Sequence, residues 1–540
     1  VLLVLFLPAA GALLTGIIVH FGAPEARGHG VPEVLYAIHA RKSRILARVA
    51  LTKLTGSIAT IGSGGSAGAE GPIVQIGSAL GSKVGQVLGV NPQNTATLLG
   101  CGAAAGIASV FNAPIAGIFF VMEILLRDFS VRTFTPIVIA AVFSAAVTQA
   151  TLGEQDAIFA TAAEFSVDAF RVTEILNYLC MGLVCGIAAV LFIQALHRAE
   201  GLFARFRVHP IIKPVIGAAL LGLMGTAYVG SKQVFGDAIL FDELPPFDAD
   251  GYDVIRNLLD ISFYEGESAG LLLLTLILLG LGKGFATCLT LGSGGSGGVF
   301  APSLLIGAAT GGAFGTVVNA LNWGPHASGA HYALVGMAAV VAATTHAPLT
   351  AILIVYEITQ SYEIILPLML AAVMSTVFAR LLCRESIYGI KLAERGITLG
   401  DASDLTILRR LFVHDVRLAP AVSVHVNDSA ARLLELSERQ HVENFVVHDD
   451  EQAYVGMVTQ ADLTEALVYR EAIPLLQVNE LVRNDLPTVN YGESLDSVLQ
   501  KFSRHDVHAL PVLYDDGSRM VRGLITRTRL MRRYHRALHA

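Results

Sequence analysis

The sequence predicts an all-α polytopic membrane domain followed by a small soluble α/β domain. Three observations carry that prediction. Hydrophobic residues make up 53% of the 540 and charged residues only 15%, with a mean hydropathy of +0.60; a soluble chain carries about 25% charged residues. The charge is also gathered at one end, since residues 401–540 hold 36 of the 81 Asp, Glu, Lys and Arg. Finally, residues 284–356 contain none of those four types, and between Gly71 and Met122 the only one is Lys83. Such stretches lie in lipid or deep within a membrane protein.

Taken in order, the chain starts at Val1 inside an apolar run without Met, so the true N-terminus is expected upstream. The run Val1 to Val19 lacks the basic flank and small-residue cleavage site of a signal peptide. Ordinary spans are expected at about 133–152, 174–197, 211–230, 268–288 and 364–383. Between them the apolar sequence is cut by GSGGSAGAEGP (62–72), FNAP (111–114), GSGGSGGVFAP (292–302) and THAP (345–348). Unwound backbone at membrane depth is tolerated only where protein or a watery cavity satisfies it, so these breaks mark a pathway. The five cysteines (Cys101, Cys180, Cys185, Cys288, Cys383) sit in apolar stretches without metal-ligand spacing. A net charge of −7 and a pI near 6.2 give no basic footprint for nucleic acid.

The breaks are duplicated. SGGSAGAEGPIVQIGSALG (63–81) aligns without gaps on SGGSGGVFAPSLLIGAATG (293–311), an offset of 230. GAAAGIASVFNAPIAGIFFVMEI (102–124) aligns on GMAAVVAATTHAPLTAILIVYEI (336–358), an offset of 234, which matches Glu123 to Glu357. Interrupted apolar segments at corresponding places in two halves point to a transporter's substrate site. Gly-rich helix starts with free N–H groups suit an anion, and the absence of Lys and Arg there fits an anion that must also leave. Glu70 is the one acid inside a Gly-rich break, where it competes with an anion for those N–H groups until protonated. Glu123 and Glu357, late in their helices, read as structural or polar-network residues.

These motifs resemble the CLC family of chloride channels and proton-coupled chloride exchangers, from about Phe21 to Ile390. The family's G-S-G-I-P-E signature is Gly28-His29-Gly30-Val31-Pro32-Glu33, its G-[RK]-E-G-P signature is Gly68-Ala69-Glu70-Gly71-Pro72, and its G-x-F-x-P signature is Gly298-Val299-Phe300-Ala301-Pro302. The late tyrosine is Tyr388. The resemblance implies two inverted repeats of tilted, broken helices, a homodimer with one pore per subunit, and chloride as the transported substrate. It implies Glu70 as gate and an anion site drawn from His29, Gly30, Gly68, Gly71, Val299, Phe300 and Tyr388.

Two departures stand out. His29 replaces the signature serine, with an imidazole N–H in place of the hydroxyl. The family's exchangers carry a second glutamate as inner proton acceptor, where this chain has Ile124 after Glu123. Isoleucine relays no proton. The expectation is therefore a passive, voltage- or pH-gated chloride channel, with a proton-coupled chloride antiporter as the alternative and a cation transporter as a distant one. G-x-S-x-G occurs at 64–68 and 294–298 and raises an intramembrane serine hydrolase with His346 as base. A nucleophile should not be duplicated in both halves, so no enzymatic activity is expected.

Residues 416–475 align on 483–540 with an offset of 67, matching Pro420 to Pro487, Gly456 to Gly523 and Thr459 to Thr526. This resembles a tandem CBS pair. The resulting division is a membrane domain over 1–395, a linker over 396–415, and CBS copies over 416–478 and 479–540. The resemblance implies a cytoplasmic regulatory module binding ATP, ADP or AMP through Thr459 and Asp462, with Thr526 in the second copy. There Arg529 stands where the motif's Asp would be, and with Arg522 and Arg527 it reads as a solvated basic face, with contact to phosphates as the alternative. No other cofactor and no metal are expected. Membrane lipid is the remaining partner, in an inner or plasma membrane.

Overall fold

Proline opens α5 (Pro92–Phe111), α6 (Pro114–Phe120) and α14 (Pro348–Thr359) at their first positions, where the missing N–H costs nothing. The computed structural model describes residues 2–153, 159, 174–235, 245–265, 268–323, 327–360, 362, 364–397, 408, 411–440, 442–468, 473, 476–505, 507–514 and 518–538. They divide into two units, 1–399 and 400–540. Most of the expected linker, 398–407 with 409–410, lies outside the described residues.

The first unit is helical. Its helices are α1 (Leu2–Phe21), α2 (Val31–Ala40), α3 (Ala47–Gly62), α4 (Glu70–Val87), α5 (Pro92–Phe111), α6 (Pro114–Phe120), α7 (Val131–Leu152) and α8 (Ile175–Arg205), then α9 (Ile212–Phe235), α10 (Tyr252–Leu258), α11 (Ala269–Ser293), α12 (Phe300–Ala320), α13 (Gly329–Thr345), α14 (Pro348–Thr359), α15 (Ile365–Leu382) and α16 (Gly389–Glu394). Among the described residues, eight helices are long and apolar enough to cross a membrane, including those expected near 133–152, 174–197, 211–230, 268–288 and 364–383. The FNAP and THAP breaks are helix ends of one design. Asn112 and His346 close α5 and α13 in the left-handed conformation (φ 48° and 58°), and Pro114 and Pro348 open α6 and α14 at their first positions.

The duplication persists in the packing. Helix α4 crosses α5 so closely that a Cβ on Gly77 would stand 2.1 Å from the Gly102 carbonyl oxygen, and α12 crosses α13 with the same approach, 2.4 Å, between Gly307 and the Gly336 oxygen. Glycine there lets backbones touch, the usual device of membrane helix pairs.

The hand of the duplication follows from two carboxylates. Helix α6 runs on into a π-helical turn, Val121–Leu125. Glu123 in that turn accepts from Leu349 N–H (3.2 Å), Thr350 N–H (2.7 Å) and Thr350 Oγ1–H (2.7 Å) at the start of α14. Reciprocally, Glu357 late in α14 accepts from Ile115 N–H (3.0 Å) and Ala116 N–H (2.6 Å) at the start of α6. Each carboxylate meets the positive end of the other helix. The two helices therefore run antiparallel about a two-fold axis that crosses them, and the repeats are inverted. Glu123 and Glu357 are thus placed as reciprocal caps of α14 and α6.

The second unit holds two three-stranded sheets of the same topology. In the first, β1 (Val422–His425) pairs parallel with β2 (Phe445–His448), which pairs antiparallel with β3 (Tyr454–Val458). In the second, β4 (Val489–Asn490), β5 (Ala509–Leu513) and β6 (Val521–Thr526) repeat that order. Helices α17 (Ala430–Gln440), α18 (Gln460–Val468), α19 (Leu495–His505) and α20 (Arg527–Leu538) complete it. The copies exchange their leading segments. Ala419 pairs with Leu524 in β6, and Arg483 pairs with Met457 in β3. Residues 411–414 bind the second copy through Val413 N–H to Glu493 O (2.9 Å) and Leu495 N–H to Leu411 O (2.8 Å).

Candidate functional site

The two Gly-rich breaks meet each other. Gly68 N–H donates to Gly298 O (2.9 Å) and Gly298 N–H to Gly68 O (2.7 Å), two residues related by the repeat offset. A second reciprocal pair flanks them, Ser66 N–H to Thr290 Oγ1 (3.1 Å) and Ser296 N–H to Thr60 Oγ1 (3.2 Å). The starts of α4 and α12 thus converge at the centre of the unit. Phe300 and Ala301 open α12, so their N–H groups have no acceptor within the helix. Val299 and Phe300 are buried. This is a polar, uncharged cradle built from helix ends, suited to an anion.

Glu70, the first residue of α4, is buried against that cradle at 5% exposure. Gly68 is what makes room for it, since a Cβ there would stand 2.9 Å from Ala301 Cβ and would collide with Glu70 Oε2. Oε2 has no hydrogen-bond partner, whereas Oε1 accepts from the Tyr252 hydroxyl at 2.7 Å. On the other side of the cradle, Gly71 N lies 2.8 Å from where a Gly298 Cβ would be, and a Cβ on Gly71 would stand 2.3 Å from His29 O. Gly30, at φ 82°, also packs closely, and a Cβ on it would stand 2.9 Å from Gly71 O. His29 is buried, its ring 5.8 Å from that of Tyr388, and its Nδ1 has no partner. The structure brings His29, Gly30, Gly68, Glu70, Gly71, Val299, Phe300 and Tyr388 into one region of the unit.

Ile124 is buried in the π-helical turn, and the neighbouring Glu123 carboxylate is fully engaged by α14. The serine-hydrolase reading has no support in the geometry. Ser66 Oγ bonds Thr287 Oγ1 (3.0 Å), Ser296 Oγ donates to Ala26 O (3.1 Å), and His346 is a helix cap. Among the described residues no group of three His, Cys, Asp or Glu is placed to hold a metal.

Sequence reasoning missed two features. Lys53 and Lys283 are fully buried at positions related by the offset of 230. Lys53 Nζ donates to Ala26 O (3.1 Å) and Gly28 O (2.6 Å); Lys283 Nζ donates to Phe247 O (3.2 Å) and Ala249 O (2.7 Å). Positive charge is therefore present near the breaks after all, turned onto loop carbonyls. The second feature is that the loop ending in Asp250-Gly251-Tyr252 is the counterpart of His29-Gly30-Val31. Gly30 and Gly251 share φ values of 82° and 83° and each precedes a short helix, α2 or α10. Gly297 N–H donates to Gly28 O and Ala67 N–H to Ala249 O at matching places. Repeating the 230 offset upstream would have exposed the lysines; the loops share no residues beyond the glycine.

In the second unit, Asp462 Oδ2 accepts from Thr459 N–H (2.7 Å) and Thr459 Oγ1–H (2.6 Å). In the other copy Arg529 Nη1 donates to Arg417 O (2.9 Å) and Leu418 O (2.7 Å), and Thr526 Oγ1 accepts from Arg529 N–H (3.3 Å). Arg522 lies over the Tyr491 ring, its Cζ 3.8 Å from the centroid. Arg522 and Arg527 are exposed, in keeping with a solvated basic face, and Arg529 is half-buried with its guanidinium turned onto the Arg417 and Leu418 carbonyls.

A family model described as "Voltage gated chloride channel" matches residues 11–380, and one described as "CBS domain" matches 413–469 and 478–536. The chain belongs to the CLC family. Among its CLC relatives, "Putative chloride channel protein ClcB-like" of Ralstonia nicotianae is 35% identical over 393 residues, 72% of this chain and 85% of the relative. "H(+)/Cl(-) exchange transporter ClcA" of Vibrio cholerae is 34% identical over 382 residues, 70% of this chain and 76% of the relative. The crystal structure of a slow cyanobacterial Cl-/H+ antiporter aligns with a TM-score of 0.63 at 26% identity, covering 73% of this chain and 87% of that one. This CLC protein is a multi-pass membrane protein of a chloride-transporting class with two CBS domains following its membrane unit.

Proposed function

We propose that the membrane unit exchanges chloride for protons across the bilayer, with Glu70 as its gate. The observation that carries this reading is the placement of one buried carboxylate against the converging starts of α4 and α12, where an anion would also sit. A carboxylate in that place competes with chloride while charged and withdraws when protonated, so chloride and proton movements become linked. The names of the exchange transporters among the relatives support the same reading over the passive channel expected from Ile124. His29, Gly30, Gly68, Gly71, Val299, Phe300 and Tyr388 are assigned to the anion's surroundings. The protein acts as a homodimer, and the CBS pair faces the cytoplasm, binding an adenine nucleotide through Thr459 and Asp462.

The second reading, passive conduction, rests on the apolar Ile124 and on Glu123 being occupied as a helix cap. Moving a bare charge past that stretch costs several kcal/mol or more, so exchange requires inner proton entry by another route. The test is the external pH of protein-loaded liposomes under an outward chloride gradient, with valinomycin as control. Uphill proton uptake that disappears in Glu70→Gln, together with pH-independent chloride flux in that variant, is the expected result. Chloride flux without proton movement overturns exchange in favour of conduction, and absence of chloride flux overturns both.

A further inference from the structure

We infer that Tyr252 is the latch of the gate: its hydroxyl holds the Glu70 carboxylate in the closed position, and the rate of chloride movement is governed by release of that hydrogen bond. The inference rests on the reading of Glu70 as gate. The Tyr252 hydroxyl donates to Glu70 Oε1 at 2.7 Å, and among the described residues no other side chain hydrogen-bonds that carboxylate. A hydrogen bond from a neutral phenol to a carboxylate is of the stronger, charge-assisted kind. It lapses when the carboxylate swings away, so it acts on the closed state alone.

The scaffold does not demand a tyrosine here. Tyr252 occupies the place that Val31 holds in the other repeat, the first helical residue after a glycine of positive φ. Valine serves that local structure without any hydroxyl. What the second repeat adds is a set of contacts that aim the ring. Phe159 packs edge-on against it, with centroids 5.4 Å apart and planes at 85°. Tyr252 N–H donates to Asp250 Oδ1 at 3.2 Å. The loop behind is pinned by Lys283 through its bonds to Phe247 and Ala249 carbonyls, and Lys283 Nζ lies 3.3 Å from where a Gly251 Cβ would be. A rigid donor positioned by buried groups is what a latch needs, because it adds little reorganisation when the gate closes again.

Tyr252→Phe keeps the ring and its packing on Phe159 and removes only the donor. Chloride efflux from liposomes at fixed pH is expected to rise about tenfold, the factor set by losing one such bond from the closed state. The deciding readout is a double-mutant cycle with Glu70→Gln, where the charge-assisted bond is already absent, so Tyr252→Phe should change flux less than about twofold. Unchanged flux for Tyr252→Phe in the native background overturns the latch, as does an equal change in both backgrounds, which marks a structural role. If Glu70→Gln itself transports as the parent does, the gate reading fails and the latch falls with it, a result distinct from failure of the latch alone. Should Tyr252→Phe not assemble, 3-fluorotyrosine at position 252 strengthens the donor and should slow flux; an unchanged rate would count equally against the latch.

Discussion

Replacing Glu123 by Gln separates a helix cap from a proton relay. The Glu123 carboxylate accepts three hydrogen bonds at the start of α14, two from N–H groups and one from a hydroxyl. Hydrogen bonds to charged groups contribute about 1.5–3 kcal/mol each, and a charge at a helix end adds about 0.3–1 kcal/mol. Glutamine keeps one acceptor oxygen, so it loses the charge and at least one bond, for an expected cost of about 2–3 kcal/mol. Alanine removes every acceptor and leaves two N–H groups unpaired, which should cost about 3–5 kcal/mol. Glu357 accepts two bonds in the mirrored place, one on each oxygen, so its Gln variant also loses the charge and one bond, at a similar cost of about 2–3 kcal/mol. Thermal unfolding followed by size-exclusion of the detergent-solubilised protein should show a larger loss for Glu123→Ala than for Glu123→Gln or Glu357→Gln, which should be alike. Proton-to-chloride stoichiometry should be unchanged in the Gln variants. A Glu123→Gln protein with parental thermal stability and no proton coupling would refute the cap and make Glu123 the inner acceptor.

Two further expectations concern the CBS unit. Arg529→Asp releases the Arg417 and Leu418 carbonyls and restores the motif of the first copy, so calorimetric titration with ATP, ADP and AMP should give one site per chain in the parent, lost in Asp462→Ala, and two in Arg529→Asp. Burial acts to raise the Glu493 carboxyl, but the hydrogen bonds from Lys501, Ser497 and the Asn490 N–H outweigh it and hold the group below its usual value of 4.5. A depressed folded value means that its stabilisation is present above pH 4.5 and is lost as pH falls through the folded value; urea unfolding of residues 400–540 at pH 7 and pH 3.5 should show that loss, smaller in Lys501→Met.

The spans, the breaks and both duplications were legible because composition and identity carry them directly. Glu70 was legible as the one acid in a Gly-rich loop, and its burial against α12 follows from the glycines around it. Tyr252 was not, since its loop matches the first signature in backbone conformation and shares only glycine with it. Its bond to Glu70 joins residues 182 apart in sequence, a closeness produced by how the repeats pack. The buried lysines were hidden by a composition argument that treated a nearby charge as absent from the site. His346 looked like a candidate base by type, yet its left-handed backbone explains its place in the chain.

The bonds at the centre of the membrane unit have a bearing on its ancestry. Gly68 with Gly298, Ser66 with Thr290, Ser296 with Thr60, and the two capping glutamates all join one repeat to the other in matched, self-complementary pairs. A half-length chain meeting an upside-down copy of itself satisfies every one of them. Fusing two such chains needed no new recognition chemistry, and afterwards each loop was free to diverge. One loop reads His29-Gly30-Val31 and the other Asp250-Gly251-Tyr252, so a symmetric frame holds a site whose two sides differ.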